Sequence, residues 1–183
     1  MTHASALPRL GAFHHVAFRC RDAEETRRFY EGLLGLPLAA GLAFDEISGT
    51  DTALRYMHVF FQLGDGNYLA FFDAPDSAKE DAFKPRSGFN RHIAIAAPSL
   101  AALQQYKQHL EAHGVACNGP LDHGFVHSIY FFDPNGIQVE ITAKTERHDA
   151  ILDEEGRKAA ADLAQWTEQT APAKRARGLR LPA

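Results

Sequence analysis

One order of predicted elements occurs twice along this chain of 183 residues. In each half, an alternating apolar run typical of a strand precedes a run with helical spacing, and three more strand-like runs follow. A shift of 77 positions lays His15 on His92 and Phe29 on Tyr106. Such self-similarity indicates a structural duplication. The sequence therefore predicts an α+β fold of two tandem βαβββ modules, at about 11–75 and 88–144.

Two histidines and one carboxylate occupy notable places in this repeat. His15 and His92 open the first strand of their halves, and Glu140 lies in an apolar run where an unpaired carboxylate would be costly. His14 alternates with His15, so only one of them faces inward. His15 is preferred because it precedes Val-Ala-Phe as His92 precedes Ile-Ala-Ile. These three side chains are the predicted metal ligands, while a shift of 70 positions lays Ala70 on Glu140.

Charge and apolar patterning narrow the range of partners and compartments. A formal net charge of −4 gives no basic field for nucleic acid, and no apolar run is long enough to cross a bilayer. The first residues lack a cationic segment followed by an apolar core. Cys20 and Cys117 form neither a CxxC pair nor a disulfide framework. We expect a cytoplasmic protein with two buried thiols that binds neither nucleic acid nor membrane.

The C-terminal segment lies outside the repeat. Residues 145–171 place Leu163, Trp166 and a few other apolar side chains among charges and alanines, which predicts an added amphipathic helix. It is expected to pack on the body of the chain or on the partner subunit of a homodimer, and both alternatives stay open. Residues 172–183 are basic and poor in apolar side chains, so we expect a flexible tail.

Paired βαβββ modules with a histidine on each first strand and a glutamate on the last strand resemble the vicinal oxygen chelate superfamily. The resemblance covers about 11–144 as a single domain and implies a cupped, incompletely closed sheet around a metal or ligand. The superfamily includes glyoxalase I, methylmalonyl-CoA epimerase, fosfomycin-resistance enzymes, bleomycin-binding proteins and extradiol ring-cleaving dioxygenases. The first two resemble four-ligand sites, in which the first module supplies a fourth ligand, and Ala70 cannot do so. The three-ligand members are therefore the better match.

The segment that ends at Glu140 is similar to the extradiol dioxygenase motif. That motif runs from a histidine, through an aliphatic-Tyr pair, to Asp-Pro-x-Gly and the metal-binding Glu, and here His123 and Tyr130 fall at permitted spacings. Leu121 departs from the small or β-branched residue expected before the histidine. The resemblance implies that His123 is an acid/base near bound oxygen and that Tyr130 hydrogen-bonds the substrate. His127 competes for the role of His123.

A metal-dependent extradiol-type dioxygenase is thus the leading functional hypothesis, with Fe(II) as the most expected metal and a catechol-like aromatic and O₂ as substrates. One alternative is a fosfomycin-resistance-like or glyoxalase-like enzyme that adds a thiol or water to a chelated electrophile, with Mn²⁺ or Zn²⁺. Another is a binding module that uses the same cup without turnover.

A strand register decides whether Tyr130 can serve such a site. A four-residue loop over Asp133–Gly136 would pair Tyr130 with Val139 and turn it away from Glu140. We therefore predict a loop that is effectively odd in length, so that Tyr130 and Glu140 share a face.

Overall fold

The computed structural model describes residues 7–8, 10–89 and 91–179. The first module contains β1 (His15–Cys20), α1 (Ala23–Arg27) with a π-helical continuation (Arg28–Leu33), β2 (Leu38–Glu46), β3 (Ala53–Gln62) and β4 (Tyr68–Asp73). Two short 3₁₀ turns, Pro75–Ser77 and Glu80–Phe83, lead to the second module. It contains β5 (His92–Ala96), α2 (Leu100–Ala112), β6 (Asn118–Asp122), β7 (Val126–Phe132) and β8 (Gln138–Lys144).

Each module forms one four-stranded mixed sheet. The strand orders are β1-β4-β3-β2 and β5-β8-β7-β6, and the edge strand that opens each module runs parallel to its neighbour. The predicted α+β fold of two βαβββ modules is confirmed.

Side-chain caps start the helices of both modules. The carboxylate of Asp22 accepts from the backbone N–H of Glu25 at 2.6 Å, and the hydroxyl of Ser99 accepts from that of Ala102 at 3.1 Å. Each satisfies a donor of the first turn that has no partner within the helix. Gly35, with φ of 71°, follows the π-helical turn and takes the left-handed conformation that ends it.

The first helical segment lies between the two sheets. The ring of Tyr30 is 5.5 Å from that of Phe61 and 4.9 Å from that of Phe71, both in the first sheet. The neighbouring Phe29 ring is 6.2 Å from that of Phe131 in the second sheet. One hydrophobic core therefore joins both modules.

Each sheet has an inner face that packs on the shared core and an outer face that points away from it. In the first sheet, alternation along the paired strands puts Phe71 on the face opposite His15. In the second, Phe131 pairs with Val139 and lies on the face opposite Glu140. Because the core lies between Phe71 and Phe131, His15 and Glu140 occupy the two outer faces of one chain.

A long third helix, α3 (His148–Ala176), follows β8. It continues through Pro172, beyond the predicted end at 171, and so includes the start of the predicted flexible tail, whose residues 180–183 lie outside the described residues. None of the residues of this helix is buried, and Leu163 and Trp166 are 65% and 59% exposed. Of the two alternatives for its packing, extensive contact with the body of the same chain is not observed among the described residues, and contact with a partner subunit stays a prediction. Within the described parts of the chain, no helix has the length and apolar character of a membrane span.

Candidate active site

His92 and Glu140 form the centre of a polar cluster on the outer face of the second sheet. Pairing of Ala94 with Glu140 puts the histidine and the carboxylate on the same side of adjacent strands. The Nε2 atom of His92 is 3.1 Å from Oε2 of Glu140. Glu140 is only 7% exposed, and its Oε1 accepts a hydrogen bond from the hydroxyl of Ser128 at 2.5 Å. The structure therefore brings two of the three predicted metal ligands together.

The histidine of this pair is oriented as a metal ligand would be. Its Nδ1 is 3.0 Å from the carbonyl oxygen of Gly88, and because a carbonyl only accepts, Nδ1 carries a proton and donates it. In a neutral His92 the lone pair of Nε2 then points at the carboxylate of Glu140. Two facing electron-rich atoms at 3.1 Å require a proton or a cation between them. This donor set fits a divalent metal.

Tyr130 lies on the same face as Glu140. The backbone N–H of Asp133 donates to the carbonyl of Ile137 at 2.9 Å, so five residues separate β7 from β8. This odd-length connection pairs Tyr130 with Glu140. The predicted register is confirmed. Burial, reinforced by the nearby Glu140 charge, raises the pKa of the Tyr130 phenol, so it stays protonated at neutral pH.

His123 completes a dyad with this phenol. Its Nε2 is 2.9 Å from the hydroxyl oxygen of Tyr130, within hydrogen-bond distance. His127 pairs with Ala143 and alternation turns it to the opposite face of the sheet. A turn at Gly124, with φ of 82°, separates the two histidines, so strand alternation does not carry from one to the other. Of the two histidines, His123 is therefore the one that lies beside Tyr130.

His15 lies on the outer face of the other sheet. Its Nδ1 is 2.9 Å from Nδ1 of His14, and its ring is 5.6 Å from that of Phe60. Among the residues that the structure describes, no group of three or more His, Cys, Asp or Glu side chains is close enough to hold a metal ion. One chain therefore brings together two of the three predicted ligands, and His15 is not one of them.

His58 on β3 belongs to the same outer face as His15 and was missed in the sequence. Its ring lies 3.9 Å from that of Phe72, 4.2 Å from that of Phe60 and 6.2 Å from that of His15. Its Nε2 is buried and has no hydrogen-bond partner among the described residues. Burial, reinforced by the neighbouring His15, lowers the pKa of His58. Its signal was the alternation of Tyr56, His58 and Phe60, which becomes informative only when the strand pairing is known.

The two halves of the repeat differ where the fourth ligand of the four-ligand relatives would lie. Ala70 pairs with Ala17 as Glu140 pairs with Ala94, which makes Ala70 the structural counterpart of the carboxylate. The expected asymmetry between the modules is therefore present.

Comparison with known proteins identifies the fold family. Residues 12–141 match the model of the Glyoxalase/Bleomycin resistance protein/Dioxygenase superfamily. No curated protein matches the sequence.

Solved structures share the fold at low sequence identity. A glyoxylase/bleomycin resistance protein/dioxygenase domain from Frankia sp. EAN1pec is 19% identical, with a TM-score of 0.62 over 78% of this chain and 99% of that one. A mutant of the fosfomycin resistance protein FosX from Listeria monocytogenes, complexed with Mn(II), is 15% identical, with a TM-score of 0.56 over 78% and 99%. A glyoxalase/dioxygenase from Nostoc punctiforme is 25% identical, with a TM-score of 0.53 over 77% and 100%.

Proposed function

The chain belongs to the Glyoxalase/Bleomycin resistance protein/Dioxygenase superfamily, and on that premise we propose that it is a metal-dependent, extradiol-type dioxygenase. Its substrate is a catechol-like aromatic, and Fe(II) is the proposed metal. The reaction cleaves a ring C–C bond beside the diol, and both atoms of O₂ enter the product. No external reductant is needed, because the ring supplies the electrons that reduce oxygen.

The observation that carries this proposal is the dyad of His123 and Tyr130 beside His92 and Glu140. Two ligand atoms 3.1 Å apart and a histidine–phenol pair 2.9 Å apart share one sheet face. Ligation alone does not require the dyad. An oxygenase needs it, because a diol must lose protons and the product must regain them.

In this dyad, the phenol is the proton donor and the imidazole can act as the acceptor. The raised pKa of Tyr130 keeps its phenol protonated, so it donates toward His123 or toward a substrate oxygen. Its partner His123 carries an imidazole, a group that can both accept and donate a proton. Ser128 holds one oxygen of Glu140 and leaves the other facing His92. When bound, Fe(II) supplies the redox chemistry by which the aromatic ring reacts with O₂.

We propose that a second copy of the chain completes this site with its His15. The support is geometric: His15 lies on an outer face, where a single chain cannot bring it to His92 and Glu140. A two-fold axis that joins the first sheet of one chain to the second sheet of another would form two equivalent sites. His58, with its unpartnered Nε2, would then face the same cavity and provide a further polar contact for substrate.

Mixing two inactive variants tests this sharing of the site between chains. His15→Ala and Glu140→Gln each remove one ligand from every site. In a mixed dimer, one site has lost both ligands and the other has both intact, so equal mixing and reassembly should restore about one quarter of wild-type activity. A site within one chain gives no restoration, and that result would refute the shared site.

Turnover itself is tested by anaerobic Fe(II) loading followed by O₂ and a panel of catechols. The expected results are oxygen uptake and a coloured ring-fission product. Tyr130→Phe and His123→Gln should lower kcat by about 10²–10⁴-fold, the usual contribution of acid/base groups, with Fe(II) binding retained. His127→Gln is the matched control, because it is a nearby histidine on the opposite face, and its activity should be unchanged. Bound iron with no oxygen uptake would refute the dioxygenase.

Metal analysis separates the remaining alternatives. Failure to bind Fe(II), Mn²⁺ or Zn²⁺ would leave a binding module, whereas turnover of a thiol and a chelated electrophile with Mn²⁺ would identify an addition enzyme. His92→Ala should reduce the affinity for Fe(II), because it removes one of the two ligand atoms that lie together.

A further inference from the structure

The exposed helix α3 has an apolar seam that follows a coiled-coil spacing. Alternating steps of four and three residues link the positions along one side, which are Leu152, Gly156, Ala159, Leu163, Trp166, Thr170 and Ala173. Such spacing keeps these side chains in one narrow stripe over the length of the helix. The 29 residues of α3 span about 43 Å at 1.5 Å per residue, so the seam is long enough for a stable pair.

The described part of the body leaves most of this seam exposed. None of the residues of α3 is buried, and its two largest seam side chains, Leu163 and Trp166, are mostly exposed. Contact with the body is seen at the first turn, where the ring of His148 lies 6.0 Å from that of Phe125. An exposed Trp next to an exposed Leu on a helix with heptad spacing is typical of an interaction surface.

Charge along the helix is distributed unevenly and indicates what covers the seam. The first half carries an excess of acids, namely Asp149, Asp153, Glu154, Glu155 and Asp162 against Arg157 and Lys158. The last turns carry Lys174, Arg175 and Arg177. Two such helices side by side in the same direction would repel at both ends. In the antiparallel direction, each acidic half meets a basic end.

We infer that α3 pairs antiparallel with α3 of a second copy of this chain. A register centred between Ala164 and Gln165 places Leu163 of each helix against Trp166 of the other. The same register brings Asp153 beside Lys174 across the pair, because both follow a seam residue directly and lie on the same flank. The small residues Gly156 and Ala159 then lie where the two backbones approach. Among the described residues, no atom outside the helix's own nearby backbone comes within 4 Å of the position that a Cβ on Gly156 would occupy. A two-fold axis satisfies both ends at once.

Disulfide trapping tests the direction and the register together. The double variant Ala160→Cys/Thr167→Cys puts thiols on one flank of the seam, seven residues apart, so they lie about 10 Å apart and cannot bridge within one helix. Across the antiparallel pair, each meets the other. The matched control, Arg157→Cys/Ala164→Cys, has the same spacing on the outward side. Both retain Cys20 and Cys117, and wild type measures any crosslinking by these thiols.

The expected result is a covalent dimer on a non-reducing gel for the seam variant, at least about tenfold more abundant than for the control. Equal crosslinking in the two variants, or none in either, would overturn the inference.

Sedimentation provides a second measurement that does not depend on cysteine chemistry. Leu163→Asp/Trp166→Asp adds two charges to the seam, whereas Ala164→Asp/Gln165→Asp adds the same charges to the outward side. The seam variant should associate at least about tenfold more weakly than the control, because it loses the largest apolar contacts of the pair. Identical association of the two variants would overturn the inference, whether or not the chain binds a metal.

Discussion

Asp133 is expected to be the most sensitive polar residue for the stability of this fold. It is 5% exposed and accepts four hydrogen bonds: from the Tyr30 hydroxyl at 3.0 Å, the Asn135 backbone and side-chain amides at 2.9 and 3.0 Å, and the Ile137 backbone at 2.8 Å. Asp133→Ala leaves four buried donors without an acceptor. At about 1 kcal/mol or more for each, the free energy of unfolding should fall by at least about 4 kcal/mol.

Two smaller changes at the same place calibrate this value. Tyr30→Phe removes one of the four donors and should cost about 1 kcal/mol. Asp133→Asn keeps one acceptor oxygen, and the Tyr30 hydroxyl can rotate to accept from the new amide, so a loss of about 2 kcal/mol is expected. Burial raises the pKa of Asp133, which shows that its charge is already poorly solvated and limits the loss on neutralisation.

Urea unfolding of the three variants measures the series directly. The reasoning predicts the order Tyr30→Phe, Asp133→Asn, Asp133→Ala, from least to most destabilised. An Asp133→Ala protein no less stable than Tyr30→Phe would refute it, because the four hydrogen bonds would then have no net value.

Three further predictions concern single positions. Gly136→Ala should destabilise the fold by about 2 kcal/mol or more in the same assay, because its φ is 72° and the added Cβ would lie 2.4 Å from a backbone oxygen; an unchanged unfolding midpoint would contradict this. Burial raises the pKa of the Cys20 thiol to about 12. A thiol reagent at pH 8 should therefore modify Cys117 first and Cys20 only after unfolding. Rapid reaction of both thiols in the folded protein would show that Cys20 is accessible. Glu140→Gln should lower the pKa of Tyr130, seen as tyrosinate absorbance at lower pH, since it removes a nearby negative charge; no change would mean that burial alone sets this pKa.

The sequence predicted most elements of the fold because its local signals agreed. Helix α2, for example, spans Leu100–Ala112, where Leu103, Tyr106 and Leu110 recur at helical spacing. The π-helical turn over Arg28–Leu33 was not predicted, because its apolar spacing is also that of an ordinary helix. The end of α3 lies beyond the predicted 171, because the helix continues through Pro172 into the basic segment that was expected to be a flexible tail.

The site was predictable as far as strand pairing could be inferred. The choice of His92 and Glu140 as candidates follows from the repeat, and that of His123 and Tyr130 follows from the motif. The contact between His123 and Tyr130 is seen only in the structure. Two features of the site could be identified only from the three-dimensional structure. The packing of both sheets around α1 puts His15 on a separate outer face, and no local pattern encodes which way a module turns relative to its twin. His58 is identified only by its stacked neighbours.

The length of the five-residue connection between β7 and β8 determines which side chains of β7 lie on the same face as Glu140. If the loop keeps its five-residue geometry, loss of a single residue there shifts β7 by one position relative to β8 and exchanges its two faces. Ile129 then lies beside the carboxylate of Glu140, and the phenol of Tyr130 points into the core. Substitutions elsewhere in the hairpin change one group at a time, whereas this deletion exchanges a whole row. Evolution of this hairpin is therefore expected to proceed by paired insertions or deletions, or by a compensating bulge in β7.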